Sequence, residues 1–512
     1  MKSMTVEEVQ IRAKSAPMML LIRRFATALI GLASTILVAR FLSPRDFGLA
    51  AMSMAVVSLG DALRNFGLTN AILRKGEINE GEVTFCFWFN VVSTLLMSAI
   101  FIAGAPLIAG YFNEPEVRVI MYGSVIGFAI GGFAMQHNAI MKRNLEFRQV
   151  AFCDTAAVAV GFIVTLALAI IRRDYWAIVV GLVAQSIARA TINVYLTRWM
   201  PGRPRRIKGI RELLYFGFNT SLYATLNQAS RQSSTLVIGY FFNSALLGYF
   251  NRSYALFKLP LSNLLEPIGQ ANMPILARLR LYPDHYRTTY LSLVEMLSVL
   301  LIPASAFIVF AGPSLALTLL GPQWEQSGEA LSYLAPALAI YGGIYPISNL
   351  LITQNRVGEL RLIAVLDFVF RAGGALIGAQ FGFLAALVGF SIGSVLTLPA
   401  RFMIAGRAGT ITAGDQLRAI LPSLPLGIGA LVGGGAGYYS ADYGGLDPIL
   451  ELASVGLASA LGALVTLGLS RNARRVAMNL INVGRGRYQV GVSAQDEELG
   501  VGVAERGTVT GG

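Results

Sequence analysis

Residues 83–113 read VTFCFWFNVVSTLLMSAIFIAGAPLIAGYFN and contain no Asp, Glu, Lys or Arg. This length and composition are typical of a membrane-spanning helix, which needs about 20 consecutive apolar residues. The whole chain has the same character, because 55% of its 512 residues are hydrophobic, 13% are charged and the mean hydropathy is +0.60. A soluble domain carries about 25% charged residues. The composition therefore predicts an all-α integral membrane protein.

Further spans lie on both sides of this stretch. Residues 372–400 are also free of charge but too long for one helix, and the turn-forming sequence GAQFG at 378–382 predicts two helices there. Six other charge-free stretches are each long enough for one crossing: 119–141, 155–171, 296–324, 330–355, 419–441 and 452–470. Five more predicted spans contain one or two charges, at roughly 18–42, 46–73, 175–198, 212–240 and 245–276. The sequence thus predicts about 14 transmembrane helices.

When the helices are counted in this way, most basic residues outside the spans fall on one side of the membrane. With a cytoplasmic N-terminus, 28 Lys and Arg, Lys142 and Arg401 among them, fall in predicted cytoplasmic segments, whereas four fall on the other side. The positive-inside rule therefore predicts a bacterial inner-membrane protein with both termini in the cytoplasm. It also explains the net charge of +13 without nucleic acid as a partner.

A short internal repeat divides the predicted spans into two similar halves. Residues 37–48 read LVARFLSPRDFG and residues 236–248 read LVIGYFFNSALLG, each an apolar helix end, a polar turn and a glycine that opens the next helix. Six helices separate the two copies, which predicts two lobes in parallel repeat with a substrate site between them. The predicted segments are a cytoplasmic N-terminus at 1–17, a first lobe of six helices at 18–200, a basic linker at 201–211, a second lobe of six helices at 212–410, two extra helices at 411–471 and a disordered cytoplasmic tail at 472–512.

The repeat also carries a family resemblance. Its motifs are ARFLSPRDFG at 39–48, FGL at 66–68 and AIL at 71–73, and then LGYFNRSYAL at 247–256, LP at 259–260 and MPILARL at 273–279. With these motifs the chain resembles the Wzx-type polysaccharide flippases of the multidrug/oligosaccharidyl-lipid/polysaccharide exporter superfamily. The resemblance covers roughly residues 20–410. It implies transport of an undecaprenyl-pyrophosphate-linked oligosaccharide for exopolysaccharide or lipopolysaccharide biosynthesis, with a polysaccharide polymerase and a chain-length regulator as further partners.

Charged residues inside the predicted spans are candidates for the site, because each costs about 2.5–3.5 kcal/mol at a helix centre. Cations in a water-filled cavity would bind a pyrophosphate through charge-assisted hydrogen bonds. The predicted pyrophosphate-binding residues are Arg231, Arg252, Arg23, Arg24, Arg64 and Lys258. Arg231 leads this set, because it lies mid-span in the most polar stretch of any predicted helix and has no acidic residue within one turn.

Polar and aromatic neighbours are the candidates for contacting sugar. These are Asn227, Gln228, Tyr249, Asn251 and Tyr254, although the stretch 249–254 could equally form an aromatic belt at the membrane interface. Asp61 with Arg64 and Asp367 with Arg371 are spaced for ion pairs within one helix, so each pair is either structural or part of ion coupling. No cofactor or metal is predicted.

The sequence contains no G-x-x-x-x-G-K-[ST] motif, so it predicts no ATP hydrolysis. The resulting hypothesis is alternating access between the two lobes, with ion or voltage coupling left open. A cation-coupled drug exporter of the same superfamily would need a cavity dominated by carboxylates. A lipid II flippase is the closer alternative. A membrane polymerase or glycosyltransferase would need a sizeable outer loop or an acidic metal-binding cluster, so the chain is not predicted to be an enzyme.

Overall fold

Short turns reverse the chain after almost every long helix, so the helices alternate in direction across a bundle. The computed structural model describes residues 6–64, 79–203, 210–407, 409, 411–470, 473–475 and 478, and all the regular structure in this part is helical. The first half contains α1 (Val6–Ala39), α2 (Pro44–Arg64), α3 (Glu80–Phe112), α4 (Glu116–Arg143), α5 (Phe147–Ile171), α6 (Trp176–Thr197) and α7 (Ile210–Phe241).

The second half begins with a divided helix. Helix α8 (Ser244–Pro260) continues through a π-helical turn (Leu261–Leu265) into α9 (Glu266–Arg278). The remaining helices are α10 (Pro283–Leu320), α11 (Glu325–Ala339), α12 (Tyr341–Thr353), α13 (Val357–Ala379), α14 (Phe383–Gly406), α15 (Ala413–Ile420), α16 (Leu424–Tyr443) and α17 (Pro448–Leu469). The face at which α1 and α3 begin is called the basic end below, because the predicted basic segments lie there, and the other face is called the opposite end.

The predicted count of 14 spans is not confirmed. Within the described residues, 11 helices are long and apolar enough to cross a membrane, and the pair α11 and α12, bent by 51°, brings the number to 12. The two predicted spans outside this set are α7, which is rich in polar residues, and the segment from α8 to α9, which the π turn divides. The all-helical membrane fold itself is confirmed.

Several helices begin earlier in the sequence than predicted. Helix α1 begins at Val6 rather than residue 18, α5 at Phe147 rather than 155, and α13 at Val357, because charged residues extend these helices beyond their apolar cores. The predicted turn at 378–382 is confirmed, since α13 ends at Ala379 and Gly382 has a φ of +122°. The family-like motifs at 66–68 and 71–73, most of the tail and part of the basic linker lie outside the described residues.

The helices pack as two groups. Helices α1 and α3 to α6 pack chiefly on one another, through α1 with α5, α3 with α4, α4 with α6 and α5 with α6; together with α2 this group is called the N-lobe. Helices α7 to α14, called the C-lobe, pack through α7 with α13, α10 with α11, α11 with α14 and α13 with α14. Helix α2 joins the lobes, because it packs closely on α7 and α8.

A reciprocal glycine contact closes the lobes at the opposite end. A Cβ on Gly48 would lie 1.7 Å from the carbonyl oxygen of Ser244, and a Cβ on Gly248 would lie 1.7 Å from the carbonyl oxygen of Pro44. Small residues allow two helix backbones to approach this closely in a membrane. The two glycines hold equivalent positions in the sequence repeat, so each copy of the repeat presents the same position to the other.

Side chains around Ala39 reinforce this closure. The Trp324 indole Nε1 and the Gln323 side-chain amide each donate a hydrogen bond of 2.8 Å to the Ala39 carbonyl oxygen. The Phe47 and Trp324 rings meet edge to face, with centroids 5.4 Å apart. Arg40, which is exposed, donates to the Thr318 carbonyl oxygen at 3.2 Å. The described contacts between the lobes are therefore most numerous at the opposite end.

The last two long helices pack on the outside of the C-lobe. Helices α16 and α17 approach so closely that Cβ atoms on Gly429 and Gly462 would each clash with the carbonyl oxygen of the other residue. Both helices also pack on α10. The short helix α15 is tied to α10 by an ion pair of 2.6 Å between Arg287 and Asp415. This pair of helices is therefore a well-packed addition to the two lobes.

Candidate functional site

A large polar cavity lies in the half of the bundle nearer the basic end. It has a volume of about 1030 Å³ and is bounded by α1, α2, α4, α5 and α6, with the junction of α8 and α9 as its C-lobe wall. Five cations and three carboxylates line it: Arg23, Arg24, Arg64, Lys142, Arg189, Asp61, Asp154 and Glu266. A lipid-facing surface could not hold such a set cheaply, so the cavity is a water-filled chamber inside the membrane.

Asp154 is the acidic centre of the N-lobe wall. Its carboxylate accepts a hydrogen bond of 2.9 Å from Arg23 on α1, and Arg189 on α6 lies 3.7 Å away. The side chains of Arg23 and Asp154 are 32% and 20% exposed, so the group is in contact with the chamber and is not sealed off. The prediction placed Arg23 in the lumen, and the structure agrees with that position but gives it a carboxylate partner.

Arg24 bridges the two lobes. Its guanidinium pairs with the Glu266 carboxylate and also donates a hydrogen bond of 2.9 Å to the Ser262 carbonyl oxygen. Ser262 lies in the π-helical turn, and such turns interrupt regular backbone hydrogen bonding and often occur at functional sites. Among the described residues, this ion pair is the main polar link between the lobes near the basic end.

Asp61 and Arg64 form the pair that their spacing predicted. Their charged atoms are 2.9 Å apart, Arg64 also donates to the Phe128 carbonyl oxygen, and its guanidinium lies 4.5 Å from the centroid of the Phe128 ring. These contacts fix Arg64 against α4, while the Asp61 side chain is 50% exposed to the chamber. The pair is therefore a structural element of the wall.

A smaller cavity of about 300 Å³ continues the chamber toward the opposite end. The two share six lining residues: Gly31, Thr35, Met54, Val158, Leu182 and Gln185. Arg252 and Asn251 enter it from α8. The Arg252 guanidinium lies 4.1 Å from the Phe47 ring centroid and donates a hydrogen bond of 2.9 Å to the Asn251 side chain. Both residues thus line a cavity, as predicted.

Arg231 does not line either cavity. Its Nε donates to the Asn227 side-chain oxygen at 3.2 Å. The Lys258 ammonium lies 4.6 Å from the centroid of the Tyr254 ring. Arg231 therefore lies on α7 of the C-lobe and is not among the residues that line the large chamber.

Two of the predicted sugar-contacting residues pack elsewhere. Tyr249 lies against Trp324, with ring centroids 6.1 Å apart. Tyr254 is stacked between Phe250 and Phe257, at 5.6 and 5.7 Å. Their rings stabilise α8 within the C-lobe, although the Tyr254 hydroxyl remains near the charged groups there. Gln228, half-buried on α7, has no described contact with them.

The predicted pairing of Asp367 with Arg371 is wrong. Asp367 instead accepts two hydrogen bonds from Arg401 on α14, one of them 3.2 Å long. Arg401 had been assigned to a cytoplasmic segment, but it lies within α14 and is 5% exposed. The guanidinium of Arg371 lies 5.9 Å from the centroid of Tyr341 and 5.8 Å from that of Phe390.

Sequence reasoning missed four charged members of the chamber wall, namely Asp154, Glu266, Lys142 and Arg189. Glu266 lay within the predicted span at 245–276 but was not selected. Asp154 lay just outside the charge-free window that defined its span, and Lys142 was counted among the cytoplasmic residues. Arg189 lay within a predicted span but was not selected. A signal did exist, because Asp154 and Arg189 both lie near the basic end of neighbouring helices, where their side chains can meet.

Comparison with known proteins identifies the family. A family profile described as "Polysaccharide biosynthesis protein" matches residues 37–329, which is more than half of the chain. The chain belongs to this polysaccharide biosynthesis protein family. The match includes both copies of the repeat and all of α2 to α9.

Curated relatives of the family extend the match. The chain is 23% identical to the lipopolysaccharide biosynthesis protein WzxC of Escherichia coli (strain K12), over 72% of this chain and 74% of the relative. It is 22% identical to the succinoglycan biosynthesis transport protein ExoT of Rhizobium meliloti (strain 1021), over 71% and 74%. It is 20% identical to the teichuronic acid biosynthesis protein TuaB of Bacillus subtilis (strain 168), over 57% and 61%.

Solved structures show that this family member has a transporter fold. The structure of the lipid II flippase MurJ in an inward closed conformation superposes with a TM-score of 0.70 at 14% identity, covering 88% of this chain and 97% of that one. An inward-facing multidrug resistance MATE family transporter of the MOP superfamily superposes with a TM-score of 0.59 at 15% identity, covering 78% and 98%. At these identities the likeness concerns the fold alone.

Proposed function

We propose that this protein flips an undecaprenyl-pyrophosphate-linked oligosaccharide across the bacterial inner membrane by alternating access. The observation that carries the proposal is the chamber between the lobes, in which five cations outnumber three carboxylates within the membrane. An excess of positive charge in a water-filled chamber favours an anionic headgroup, while the apolar tail of the same molecule can remain in lipid. Relatives named for polysaccharide biosynthesis and transport support the substrate class.

The contacts between the lobes support the mechanism. The Gly48 and Gly248 crossing seals the opposite end, whereas near the basic end the Arg24–Glu266 pair bridges lobes that enclose a chamber. Rocking of one lobe against the other about a central site is the general transport motion of repeated folds. The substrate would enter from the side of the basic end and leave after the glycine crossing opens.

Transport without catalysis is part of the proposal. The connections at the opposite end are short, as at 40–43, 172–175 and 444–447, and leave no room there for a catalytic domain. The basic residues of the loops support an orientation with both termini in the cytoplasm. A polysaccharide polymerase and a chain-length regulator would act on the substrate after its release, as further partners.

The test is deletion of the gene followed by analysis of the membrane lipids. We expect complete lipid-linked repeat units to accumulate and surface or secreted polysaccharide to be lost, with both restored by the intact gene. Truncated glycans on the lipid would contradict the proposal and indicate a transferase. Rescue of peptidoglycan synthesis in a strain depleted of its lipid II flippase would also contradict it, since the substrate would then be lipid II.

A further inference from the structure

A further cavity lies on the outer surface of the C-lobe, between α10, α11 and α14. It has a volume of about 660 Å³ and is called the C-lobe groove below. Most of its lining side chains are apolar or aromatic, and the one charged residue among them is Glu329. It shares no lining residue with the chamber or with the smaller cavity. The groove is therefore separate from the transport site proposed above.

The groove has the depth of one leaflet of the membrane. Its lining residues on α14 run from Leu384 to Leu396, a distance of about 18 Å at the rise of an α-helix. The hydrocarbon core of a bilayer is about 30 Å thick. Since α14 begins at Phe383 at the opposite end, the groove extends from that surface to about the middle of the membrane.

The mouth of the groove faces lipid. Ile392 and Leu396 on α14 are 53% and 54% exposed, and Tyr333 on α11 is 43% exposed. Exposed apolar side chains in the middle of a membrane-spanning helix are in contact with hydrocarbon chains. The lower part of the groove is therefore suited to an acyl chain.

Close packing fixes the floor of the groove. A Cβ on Gly312 would lie 2.7 Å from the Gly328 carbonyl oxygen, and a Cβ on Gly328 would lie 2.4 Å from the Cα of Pro313, so α10 and α11 approach very closely. The Ser391 hydroxyl donates a hydrogen bond of 3.0 Å to the Tyr333 carbonyl oxygen and ties α14 to α11. The groove is therefore formed before any ligand enters it.

Glu329 is the exception in this apolar surface. It is exposed, no Lys or Arg lines the groove, and none of the ion pairs between described residues includes it. Glu325 begins α11, where the positive end of the helix dipole favours a carboxylate, but Glu329 lies one turn further in. A carboxylate at the edge of the lipid is costly unless a cation meets it.

We infer that the C-lobe groove binds one molecule of phosphatidylethanolamine from the leaflet at the opposite end. The primary ammonium of the headgroup would form a charge-assisted hydrogen bond with the Glu329 carboxylate. One acyl chain would lie along α14 toward Leu396, where it buries apolar surface. Both ends of the groove are then matched, the charged end by the headgroup and the apolar end by the chain.

Other lipids lack one of these two matches. Phosphatidylglycerol brings a phosphate and no cation, so its headgroup is repelled by Glu329. The quaternary ammonium of phosphatidylcholine has no N–H group to donate. A polyprenyl phosphate also carries no cation, and its chain is much longer than the depth of one leaflet.

The experiment measures lipid binding to the purified full-length protein by native mass spectrometry. Phosphatidylethanolamine, phosphatidylglycerol and phosphatidylcholine with identical acyl chains are compared, and we expect the first to bind at least about threefold more tightly than the others. Glu329→Gln should weaken binding of phosphatidylethanolamine about three- to tenfold and remove this preference, because it takes away one charge-assisted contact.

The matched controls lie outside the groove. Glu325→Gln makes the same change one turn away and should leave the preference unaltered. Val388→Trp fills the groove and should weaken the tightest binding of all three lipids, whereas Leu457→Trp, on the exposed surface of α17, should not. The thermal unfolding midpoint of each variant shows whether it is folded.

Three outcomes would overturn the inference. The first is equal binding of the three lipids by the wild-type protein, and the second is an unaltered preference in the Glu329→Gln variant or unaltered binding in the Val388→Trp variant. The third is displacement of phosphatidylethanolamine by undecaprenyl phosphate, which would show that the groove holds the chain of a polyprenyl lipid instead. None of these outcomes depends on which molecule the protein transports.

Discussion

Individual ion pairs in this protein contribute differently to the free energy of unfolding, depending on how deeply their side chains are buried. The Asp367–Arg401 pair is almost enclosed, with side chains 12% and 6% exposed, whereas those of Arg45 and Glu116 are 57% and 36% exposed. A buried charge that loses its partner is left in a poorly polarisable environment. A surface pair exchanges its partner for water at little cost.

We therefore expect Asp367→Asn to lower the free energy of unfolding by about 3–5 kcal/mol, since Arg401 keeps its charge in the interior. Glu116→Gln, the matched control on the surface, should lower it by at most about 1 kcal/mol. Chemical denaturation in detergent measures both values. The double variant Asp367→Asn with Arg401→Gln should recover part of the loss. Equal effects of the two single variants would refute the explanation.

Residue pairing also shows what the sequence could and could not predict. Asp61 and Arg64 are three positions apart on one helix, so helix geometry alone predicted their contact. Asp367 has a partner 34 residues away, and Arg24 has one 242 residues away, so these pairs depend on how helices pack together. The sequence therefore showed which residues are charged, but it did not show which residue of opposite charge pairs with each of them.

Helices α1 and α9 meet through a single described ion pair, and this makes their junction a candidate gate. We expect Glu266→Gln to loosen the basic end, because Arg24 loses its charged partner across the lobes. In a background with Cys86 and Cys153 replaced by Ala, a cysteine at Asn138 in the chamber should react several-fold faster with an impermeant maleimide added from that side.

Exchange of the two charges supplies the control for this gate. The double variant Arg24→Glu with Glu266→Arg keeps an ion pair across the junction, so its labelling rate should return toward that of the unaltered protein. A rate that is the same for Glu266→Gln as for the parent would show that the pair does not hold the basic end closed.

Helices α2 and α8 control the opposite end through their glycines. We expect Gly48→Ala to hold that end open, because the new methyl group would lie 1.7 Å from the Ser244 carbonyl oxygen and the helices must separate. A cysteine at Ser34 in the smaller cavity should then become accessible to maleimide from the opposite side.

The reciprocal glycine contact allows a second test of how the opposite end is closed. Gly248→Ala should have the same effect as Gly48→Ala, since its Cβ would meet the Pro44 carbonyl oxygen at the same distance. Gly110→Ala is the control, as no neighbouring atom lies within 4 Å of a Cβ there. If the cysteine is labelled no faster in the Gly48→Ala variant than in the Gly110→Ala variant, the contact between α2 and α8 does not close the opposite end.

At the scale of elements, spans were easier to predict than their ends. The apolar cores of α3, α4 and α14 were evident from residue composition, because lipid selects for apolar side chains over a fixed thickness. Helices α1 and α5 continue through charged residues into the water-filled regions, where composition no longer marks a helix. The π turn between α8 and α9 has no composition signal of its own.

For the whole molecule, the basic residues predict an orientation with both termini in the cytoplasm. We expect a fluorescent reporter that matures only in the cytoplasm to be active at either terminus. Alkaline phosphatase, which is active only outside the cytoplasm, should be active when inserted in the loop at 444–447 and inactive at both termini. Activity of the phosphatase at the C-terminus would contradict a cytoplasmic C-terminus.

The glycine crossing also bears on how such a molecule arose. A contact in which each partner presents the same two positions to the other is the kind of isologous interface that two copies of one subunit form about a two-fold axis. A homodimer of six-helix subunits could make this contact with a single glycine, and duplication with fusion of its gene would turn that single requirement into two. The contacted residues differ, Pro44 in one copy and Ser244 in the other, but the backbone approach demands glycine at both 48 and 248.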